Sequence, residues 1–193
     1  GKINLQLGST SFSSCTDCEA GRYRAESMNP GEECAICPWG SISKTGANSC
    51  LICYSGKWAG GDLSTDHVSC TECIEGKYNQ FSGSNSIDSC LDCNKGKYSG
   101  VSGLNISKGC IDCNVGKYND QLGSINIFAC KNCPVGKFRQ TVGGIGLDDC
   151  LPCSAGRFSL EGSDSCIICV SGKYAAFSES NECIECEAGK YTN

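Results

Sequence analysis

The chain has 193 residues, of which 20 are cysteines, and its formal net charge is −5 at pH 7. A cysteine content of about one residue in ten is typical of a disulfide scaffold in an oxidising compartment, so we expect an extracellular, secreted or cell-surface protein. The acidic balance argues against nucleic-acid binding. No apolar run approaches the roughly 20 residues that span a bilayer.

The cysteines form ten C-x-x-C pairs at steps of 16 to 20 residues, which is the sequence sign of a tandem repeat. A glycine lies three residues after every pair, a Lys or Arg follows it in nine copies, and an aromatic comes next in nine. We predict the second half of a truncated repeat at 1–14 and the start of another at 183–193. Between them we predict repeats at 15–33, 34–49, 50–69, 70–89, 90–109, 110–129, 130–149, 150–165 and 166–182.

Both ends of the chain cut through a repeat at nearly the same phase. "GKINLQLGSTSFSSC" at 1–15 aligns without gaps on "GKYNDQLGSINIFAC" at 116–130, and the last residues read "GKYTN". We therefore expect the natural polypeptide to continue in both directions.

Each repeat is predicted to be a small disulfide-rich unit of short β-strands and loops, with little or no helix. The array is expected to be an elongated rod or solenoid of about 20-residue units. The fixed glycine indicates a turn with positive φ or a close approach of the backbone. The aromatic is the only large apolar side chain of most repeats, so it is the predicted small core, packed over a disulfide. These packing aromatics are Tyr23, Trp58, Tyr78, Tyr98, Tyr118, Phe138, Phe158, Tyr174 and Tyr191.

If all repeats are equivalent, three disulfide schemes are open: within each pair, second cysteine to next first, or first cysteine to next second. The first makes strained, easily reduced rings suited to redox enzymes, and the third makes interleaved loops. The second closes sequential loops, each contributing roughly 3 kcal/mol in the chain-entropy model. It predicts Cys18–Cys34, Cys37–Cys50, Cys53–Cys70, Cys73–Cys90, Cys93–Cys110, Cys113–Cys130, Cys133–Cys150, Cys153–Cys166 and Cys169–Cys183, with the partners of Cys15 and Cys186 outside this stretch.

The phrase C-x-x-C-x-x-G-K-Y, followed by a Gly/Ser-rich loop and another C-x-x-C, resembles the ephrin-receptor-like cysteine repeat, a relative of EGF-like and TNF-receptor-like modules. The resemblance covers nearly the whole chain. It implies an elongated disulfide-linked rod of the kind found in extracellular stalks. Long arrays like this one occur in protist surface proteins, including mastigoneme-like flagellar-hair glycoproteins. The near-constant Lys after the glycine departs from the small polar residue usual in that family.

Other interpretations of the same residues are weaker. Paired C-x-x-C motifs also hold zinc, but the steps do not alternate as five sites of four cysteines each would require. A thioredoxin-like role needs one reactive pair rather than ten similar ones. His67, the single histidine, has no partner constellation in sequence and is interpreted as a loop residue. We expect no catalytic residue, metal site or cofactor.

Two surface features bear on partners. A Lys or Arg after each glycine and an acid between many paired cysteines (Asp17, Glu72, Asp92, Asp112, Glu185) indicate either weak ion pairs on a solvated surface or charged stripes that join neighbouring rods. Eight apolar residues in the loops have no evident core role and suggest lateral contacts. They are Phe81, Leu104, Ile106, Ile125, Ile127, Phe128, Ile145 and Phe177.

One N-glycosylation sequon is present, at Asn105-Ile106-Ser107, so a covalent glycan is predicted on Asn105. Trp39 and Trp58 are interpreted as core residues rather than sugar-stacking ones. The sequence favours a structural segment of an extracellular filament or cell-surface coat, with other copies of the chain or other filament proteins as partners. The alternative is a receptor ectodomain stalk that binds a protein ligand.

Overall fold

The computed structural model describes residues 1–4, 8, 10–29, 31–60 and 69–190. Across these ranges the regular elements are two-residue strands and one-turn 3₁₀ helices. The strands are β1 Lys2–Ile3, β2 Thr16–Asp17, β3 Arg22–Tyr23, β4 Ala35–Ile36, β5 Ser41–Ile42, β6 Leu51–Ile52, β7 Lys57–Trp58, β8 Thr71–Glu72, β9 Lys77–Tyr78, β10 Leu91–Asp92, β11 Lys97–Tyr98, β12 Ile111–Asp112, β13 Lys117–Tyr118, β14 Lys131–Asn132, β15 Lys137–Phe138, β16 Leu151–Pro152, β17 Arg157–Phe158, β18 Ile167–Ile168, β19 Lys173–Tyr174 and β20 Ile184–Glu185. The 3₁₀ helices span Phe12–Ser14, Ile87–Ser89, Ser107–Gly109, Ile127–Ala129 and Leu147–Asp149.

Consecutive strands pair into two-stranded sheets, so the repeating element is a β-hairpin. β13 and β14 show the antiparallel register, in which Lys117 lies opposite Asn132 and Tyr118 lies opposite Lys131. The first strand follows the turn glycine and the second lies inside the next C-x-x-C pair. A two-stranded hairpin of this size is marginal in water, so these strands depend on the disulfides and on neighbouring repeats.

The backbone groups into two compact units. The first comprises Gly1–Leu91 and Ser102–Gly109, and the second comprises Asp92–Val101 and Cys110–Asn193. In the first, the buried residues are the turn glycines Gly21, Gly40, Gly56 and Gly76 together with Cys18, Cys34, Cys37, Cys53, Cys73, Cys90, Ala59, Ser41, Ser43, Asn79 and Ser84. In the second, they are the glycines Gly96, Gly116, Gly136 and Gly144 together with Cys93, Cys110, Cys113, Cys130, Cys133, Cys150, Cys153, Ala175, Ser99, Asn119, Ser124 and Ser159. The fold is the expected small disulfide-rich repeat of short strands and loops.

The core differs from the expected aromatic one. Among the described residues the buried set consists of cysteines, glycines, two alanines and small polar residues, with no aromatic. Tyr174 is exposed, and Tyr191 lies outside the described residues. The other predicted packing aromatics are half-buried: Tyr23, Trp58, Tyr78, Tyr98, Tyr118, Phe138 and Phe158. A two-residue strand pair is too short to enclose an aromatic ring, so the interior is filled by sulfur and by backbone.

Candidate structural site: the bonds within and between repeats

Nine disulfides join the second cysteine of one pair to the first cysteine of the next. They are Cys18–Cys34, Cys37–Cys50, Cys53–Cys70, Cys73–Cys90, Cys93–Cys110, Cys113–Cys130, Cys133–Cys150, Cys153–Cys166 and Cys169–Cys183. These are the pairs of the sequential scheme. Their Cα atoms lie 5.6 to 5.8 Å apart, as unstrained disulfides require. Each bond closes the loop of one hairpin.

A four-residue turn leads into the first strand of each hairpin. In repeat 110–129 the amide of Lys117 donates to the carbonyl of Asn114 at 3.2 Å. Gly116, the third residue of that turn, has a φ of 72°. A positive φ at the third position defines a type II turn and selects glycine there. The recurrent glycine therefore sets the direction in which every hairpin starts.

Backbone hydrogen bonds join each repeat to the next. In the second unit the Gly116 amide donates to the Arg139 carbonyl at 2.9 Å, and the Asn119 amide donates to the Gly144 carbonyl at 2.7 Å. In the opposite direction, the Gly143 amide donates to the Cys113 carbonyl at 2.8 Å. The first unit contains an equivalent set, from Gly56 to Asn79, Ala59 to Ser84 and Gly83 to Cys53. Because these bonds use main-chain atoms, they tolerate most changes of side chain.

In several repeats the turn glycine also packs against the repeat after next. A Cβ atom added at Gly56 would lie 2.2 Å from the carbonyl oxygen of Gly103. One added at Gly116 would lie 2.0 Å from the carbonyl oxygen of Gly162. No side chain fits at such distances, so each of these glycines is required both by its φ and by the neighbouring backbone.

Asn79 and Asn119 are completely buried polar side chains. The Asn119 amide group donates to the Lys97 carbonyl at 2.9 Å and to the Ser124 hydroxyl at 2.8 Å, while its Oδ1 accepts from the Gln121 amide at 3.1 Å. Asn79 has the matching three partners in its own unit: Lys57, Ser84 and Phe81. Each Asn side chain therefore ties its repeat to the preceding one, while its backbone amide bonds to the following one.

Sequence reasoning missed this position because it looked for large apolar side chains. A signal was present, since a small polar residue directly follows the aromatic position in several repeats. Ser43 donates to the Arg22 carbonyl and Ser159 to the Lys137 carbonyl, both at 2.9 Å. These serines make the same link to the preceding repeat with a shorter side chain.

In four hairpins the basic residue after the glycine pairs with an acid on the opposite strand, whereas Lys137 pairs with Glu179 of another repeat. The Nζ–carboxylate distances are 3.1 Å for Lys57–Glu72 and 2.7 Å for Lys97–Asp112. The same pairing joins Lys2 to Asp17 and Lys173 to Glu185. The two charges thus neutralise each other across one strand pair. This arrangement favours the interpretation of surface ion pairs over that of separate stripes joining two rods.

Among the described residues, Glu72 and Asp120 have pKa values below their usual range. The pKa of Glu72 is lowered mainly by the hydrogen bond from Lys57 and next by one from the Ser102 hydroxyl, which lies 3.0 Å away. The pKa of Asp120 is lowered mainly by the hydrogen bond from Lys131 at 2.9 Å. Both groups lie at the surface, where water and salt screen the interaction.

Several predicted residues remain outside the hairpin framework. Cys15 and Cys186 are half-buried thiols without a disulfide in this chain. Trp39 is 57 % exposed, so its assignment to the core was wrong, because its hairpin leaves it at the surface. Trp58 is half-buried. His67 lies outside the described residues.

Seven of the eight loop apolar residues are exposed: Phe81, Ile106, Ile125, Ile127, Phe128, Ile145 and Phe177. Phe128 is 90 % exposed and is the clearest case. Leu104 differs, because it is half-buried and forms a parallel bridge with Tyr78. The loops therefore present apolar side chains to solvent in several repeats.

Over the residues described above, no three His, Cys, Asp or Glu side chains gather as metal ligands. In the same ranges no helix has the length and apolarity needed to cross a membrane. Comparison with models of known protein families gave no match, and neither did comparison with curated proteins.

Proposed function

We propose that the chain is a non-enzymatic structural segment of an extracellular filament or cell-surface coat. The observation that supports this most is the recurrence of the same backbone bonds from one repeat to the next, as in Gly56 to Asn79 and Gly116 to Arg139. An enzyme needs one set of reactive side chains, whereas repeated bonding extends a scaffold by stacking each unit on its neighbours. The disulfides suit an oxidising extracellular environment.

We also propose that the repeats are related to the ephrin-receptor-like cysteine repeats that they resemble, and that the array forms a rod. A protist flagellar-hair-like fibre is the assembly that this resemblance favours.

Contact between copies of the chain is the second part of the proposal. Phe128 and Phe177 are 90 % and 79 % exposed, and Ile125 and Ile127 are about half exposed. Contact with another chain would remove this apolar surface from water, which is favourable by roughly 25 cal/mol per Å². Exposed apolar groups that recur in successive repeats are typical of contact surfaces.

Sedimentation of the oxidised, secreted chain over a range of concentrations tests this association. The wild-type chain is expected to associate as its concentration rises, and Ile127→Asp combined with Phe128→Ser is expected to weaken that association with all nine disulfides intact. Lys108→Ser is the matched control, because Lys108 occupies the position of Phe128 in the 3₁₀ helix of the preceding repeat and its replacement leaves the Asn105 sequon intact. A wild-type chain that stays monomeric at every concentration, from a source that shows no fibres, would favour a stalk.

A receptor stalk is the second candidate, and two apolar hairpins favour it. Leu51, Ile52 and Tyr54 are 67 %, 57 % and 77 % exposed in the sequence "CLICY". The sequence "CIICV" in the other unit likewise exposes Ile168 and Val170, by 61 % and 67 %. Such sites suit a protein ligand. Electron microscopy of the native particle separates the candidates, since a regular polymer supports the filament and single membrane-attached copies support the stalk.

A further inference from the structure

The sequon of repeat 90–109 follows directly on a segment that is held by the preceding repeat. The Gly103 amide donates to the Cys73 carbonyl at 2.7 Å, and the Leu104 carbonyl accepts from the Asn79 amide at 2.9 Å. Leu104 also pairs with Tyr78 in a parallel bridge. The backbone is therefore fixed up to the residue before Asn105.

Beyond that segment the chain turns to solvent. Asn105, Ile106 and Ser107 are all exposed, and Ser107 begins the 3₁₀ helix Ser107–Gly109. The equivalent residues are exposed in three other 20-residue repeats, at Asn85, Ile125 and Ile145, while Thr65 of repeat 50–69 lies outside the described residues. This position therefore faces outward as a property of the repeat, whichever side chain it carries.

The surroundings of Asn105 differ from those of Asn79, Asn119 and Asn126. Asn79 and Asn119 are buried and use their amide groups for bonds between repeats. Asn126 accepts a hydrogen bond from the Phe128 amide at the start of a 3₁₀ helix. Within the described residues, no hydrogen bond engages the side-chain amide of Asn105. Its Nδ2 atom is free to carry a substituent without loss of a structural contact.

We propose that Asn105 carries an N-linked oligosaccharide, an inference that rests on the proposed extracellular localisation. The donor is an oligosaccharide linked to a lipid through pyrophosphate. A bond forms between Nδ2 and the anomeric carbon of the sugar, the bond from that carbon to the pyrophosphate oxygen breaks, and Nδ2 loses one proton as the lipid pyrophosphate leaves. The attached glycan would cover Ile106, which is 51 % exposed.

Mass spectrometry of glycopeptides and a free-thiol count, made on one sample from the native source, test the site and the localisation separately. The expected result is a glycan on Asn105 in protein whose nine disulfides are formed. An unmodified Asn105 in fully oxidised protein overturns this inference and leaves the extracellular proposal standing. An unmodified Asn105 in reduced protein overturns both.

Variants secreted from a eukaryotic host sharpen the test. Ser107→Ala is expected to remove the glycan mass and Ser107→Thr to keep it. A β-branched residue fits there, because Ile87 and Ile127 occupy the equivalent position. Ile87→Thr creates a sequon at the equally exposed Asn85 and is expected to add a second glycan. Retention of the glycan in Ser107→Ala, or no second glycan in Ile87→Thr, contradicts the placement.

Discussion

The 20-residue repeat 110–129 and the 16-residue repeat 150–165 bond to their neighbours in the same way. In each, a loop glycine donates its amide to the second cysteine of the preceding repeat, at 2.9 Å for Gly123 and 2.8 Å for Gly162. In each, the next residue accepts a backbone bond from the preceding repeat, at 2.9 Å for Ser124 and 3.2 Å for Ser163. The shorter repeat has lost none of these links.

The two repeats differ most between this bonded segment and the cysteine that closes the loop. The longer loop continues through 125–129 and contains the 3₁₀ helix Ile127–Ala129, whereas the shorter loop has only 164–165 before its cysteine. Most of the length variation thus falls in the segment that makes no backbone bond to the preceding repeat. The repeat is defined by its turn, its disulfide and its inter-repeat bonds, and its length follows from them only loosely.

The largest effect is expected from removing a disulfide. Replacing Cys113 and Cys130 with Ser, or Cys153 and Cys166 with Ser, is expected to destabilise the local hairpin by about 3 kcal/mol. The loops span 17 and 13 residues, and chain entropy separates their contributions by only about 0.2 kcal/mol. Native-state hydrogen exchange of the strand amides measures both. A loss several-fold greater in the longer repeat would contradict the equivalence of the two hairpins.

Turn glycines come next. Gly116→Ala places a Cβ against the Gly162 carbonyl oxygen and forces a positive φ, so we expect a loss of about 2 to 3 kcal/mol. Gly156→Ala meets nothing within 4 Å and carries only the φ strain, for which we expect about 1 kcal/mol. Hydrogen exchange is again the measurement. Equal losses in the two variants would show that packing on the repeat after next contributes nothing.

The residue that follows the aromatic position is Asn119 in the longer repeat and Ser159 in the shorter one, and we expect the two to contribute differently to stability. Asn119→Ala removes three hydrogen bonds from a fully buried site, and we expect a loss of about 2 kcal/mol. Ser159→Ala removes its single bond to the Lys137 carbonyl, for a loss of about 1 kcal/mol. Denaturant-dependent hydrogen exchange measures the loss of stability in each of the two variants. The reverse order would mean that the Asn side chain is not the main link between repeats.

Shortening the longer loop is expected to cost little. Deleting 126–128 removes most of the 3₁₀ helix and leaves every backbone bond to the preceding repeat, so we expect a change below about 1 kcal/mol. Deleting 120–122 removes every residue between Asn119 and Gly123, so that glycine can no longer reach the Cys93 carbonyl, and this deletion serves as the matched disruptive change. Proteolysis rates and disulfide mapping report on both deletions. A larger loss from deleting 126–128 than from deleting 120–122 would refute the assignment of 126–128 as a variable segment.

The smallest effect concerns pH. The folded-state pKa of Glu72 is lowered chiefly by the hydrogen bond from Lys57, so its contribution to stability is present above the unfolded carboxyl pKa and is lost as pH falls through the folded pKa. In the β5–β6 hairpin, whose loop is closed by Cys37–Cys50, the equivalent positions are Ser41 and Ile52. This pair has no charge to titrate. Nuclear magnetic resonance titration of the Glu72 carboxyl is expected to show a midpoint below that of a free Glu. Glu72→Gln is expected to remove the acid dependence of the β7–β8 hairpin and to leave the β5–β6 hairpin unchanged. An ordinary Glu72 midpoint would contradict the pairing.

Much of the hairpin was predictable because each step is local and repeated. The spacing of the cysteines allowed few symmetric pairings, and the fixed glycine indicated the turn at Gly116. The sequence did not show where the loops pack, because bonds such as Gly143 to Cys113 join main-chain atoms and leave no residue-type signal. The prediction of an aromatic core was wrong for a related reason. Backbone and sulfur occupy the space that a larger domain fills with side chains.

The role of Asn119 could not be predicted from the sequence, because a polar residue is not expected in a core. In sequence an Asn beside a loop indicates a turn, and only the neighbouring repeat supplies the Lys97 carbonyl that satisfies it when buried. The pairing of Lys57 with Glu72 needed the strand register, which the spacing of the cysteines alone does not fix.

Proteolytic mapping of the disulfides under non-reducing conditions tests the central claim most directly, because every hairpin and every link between repeats depends on that connectivity. The expected result is nine bonds from the second cysteine of each pair to the first of the next, with Cys113–Cys130 recovered as a single linked peptide pair. Recovery of Cys110 bonded to Cys113 or to Cys133, or of stoichiometric zinc with free thiols, would contradict it.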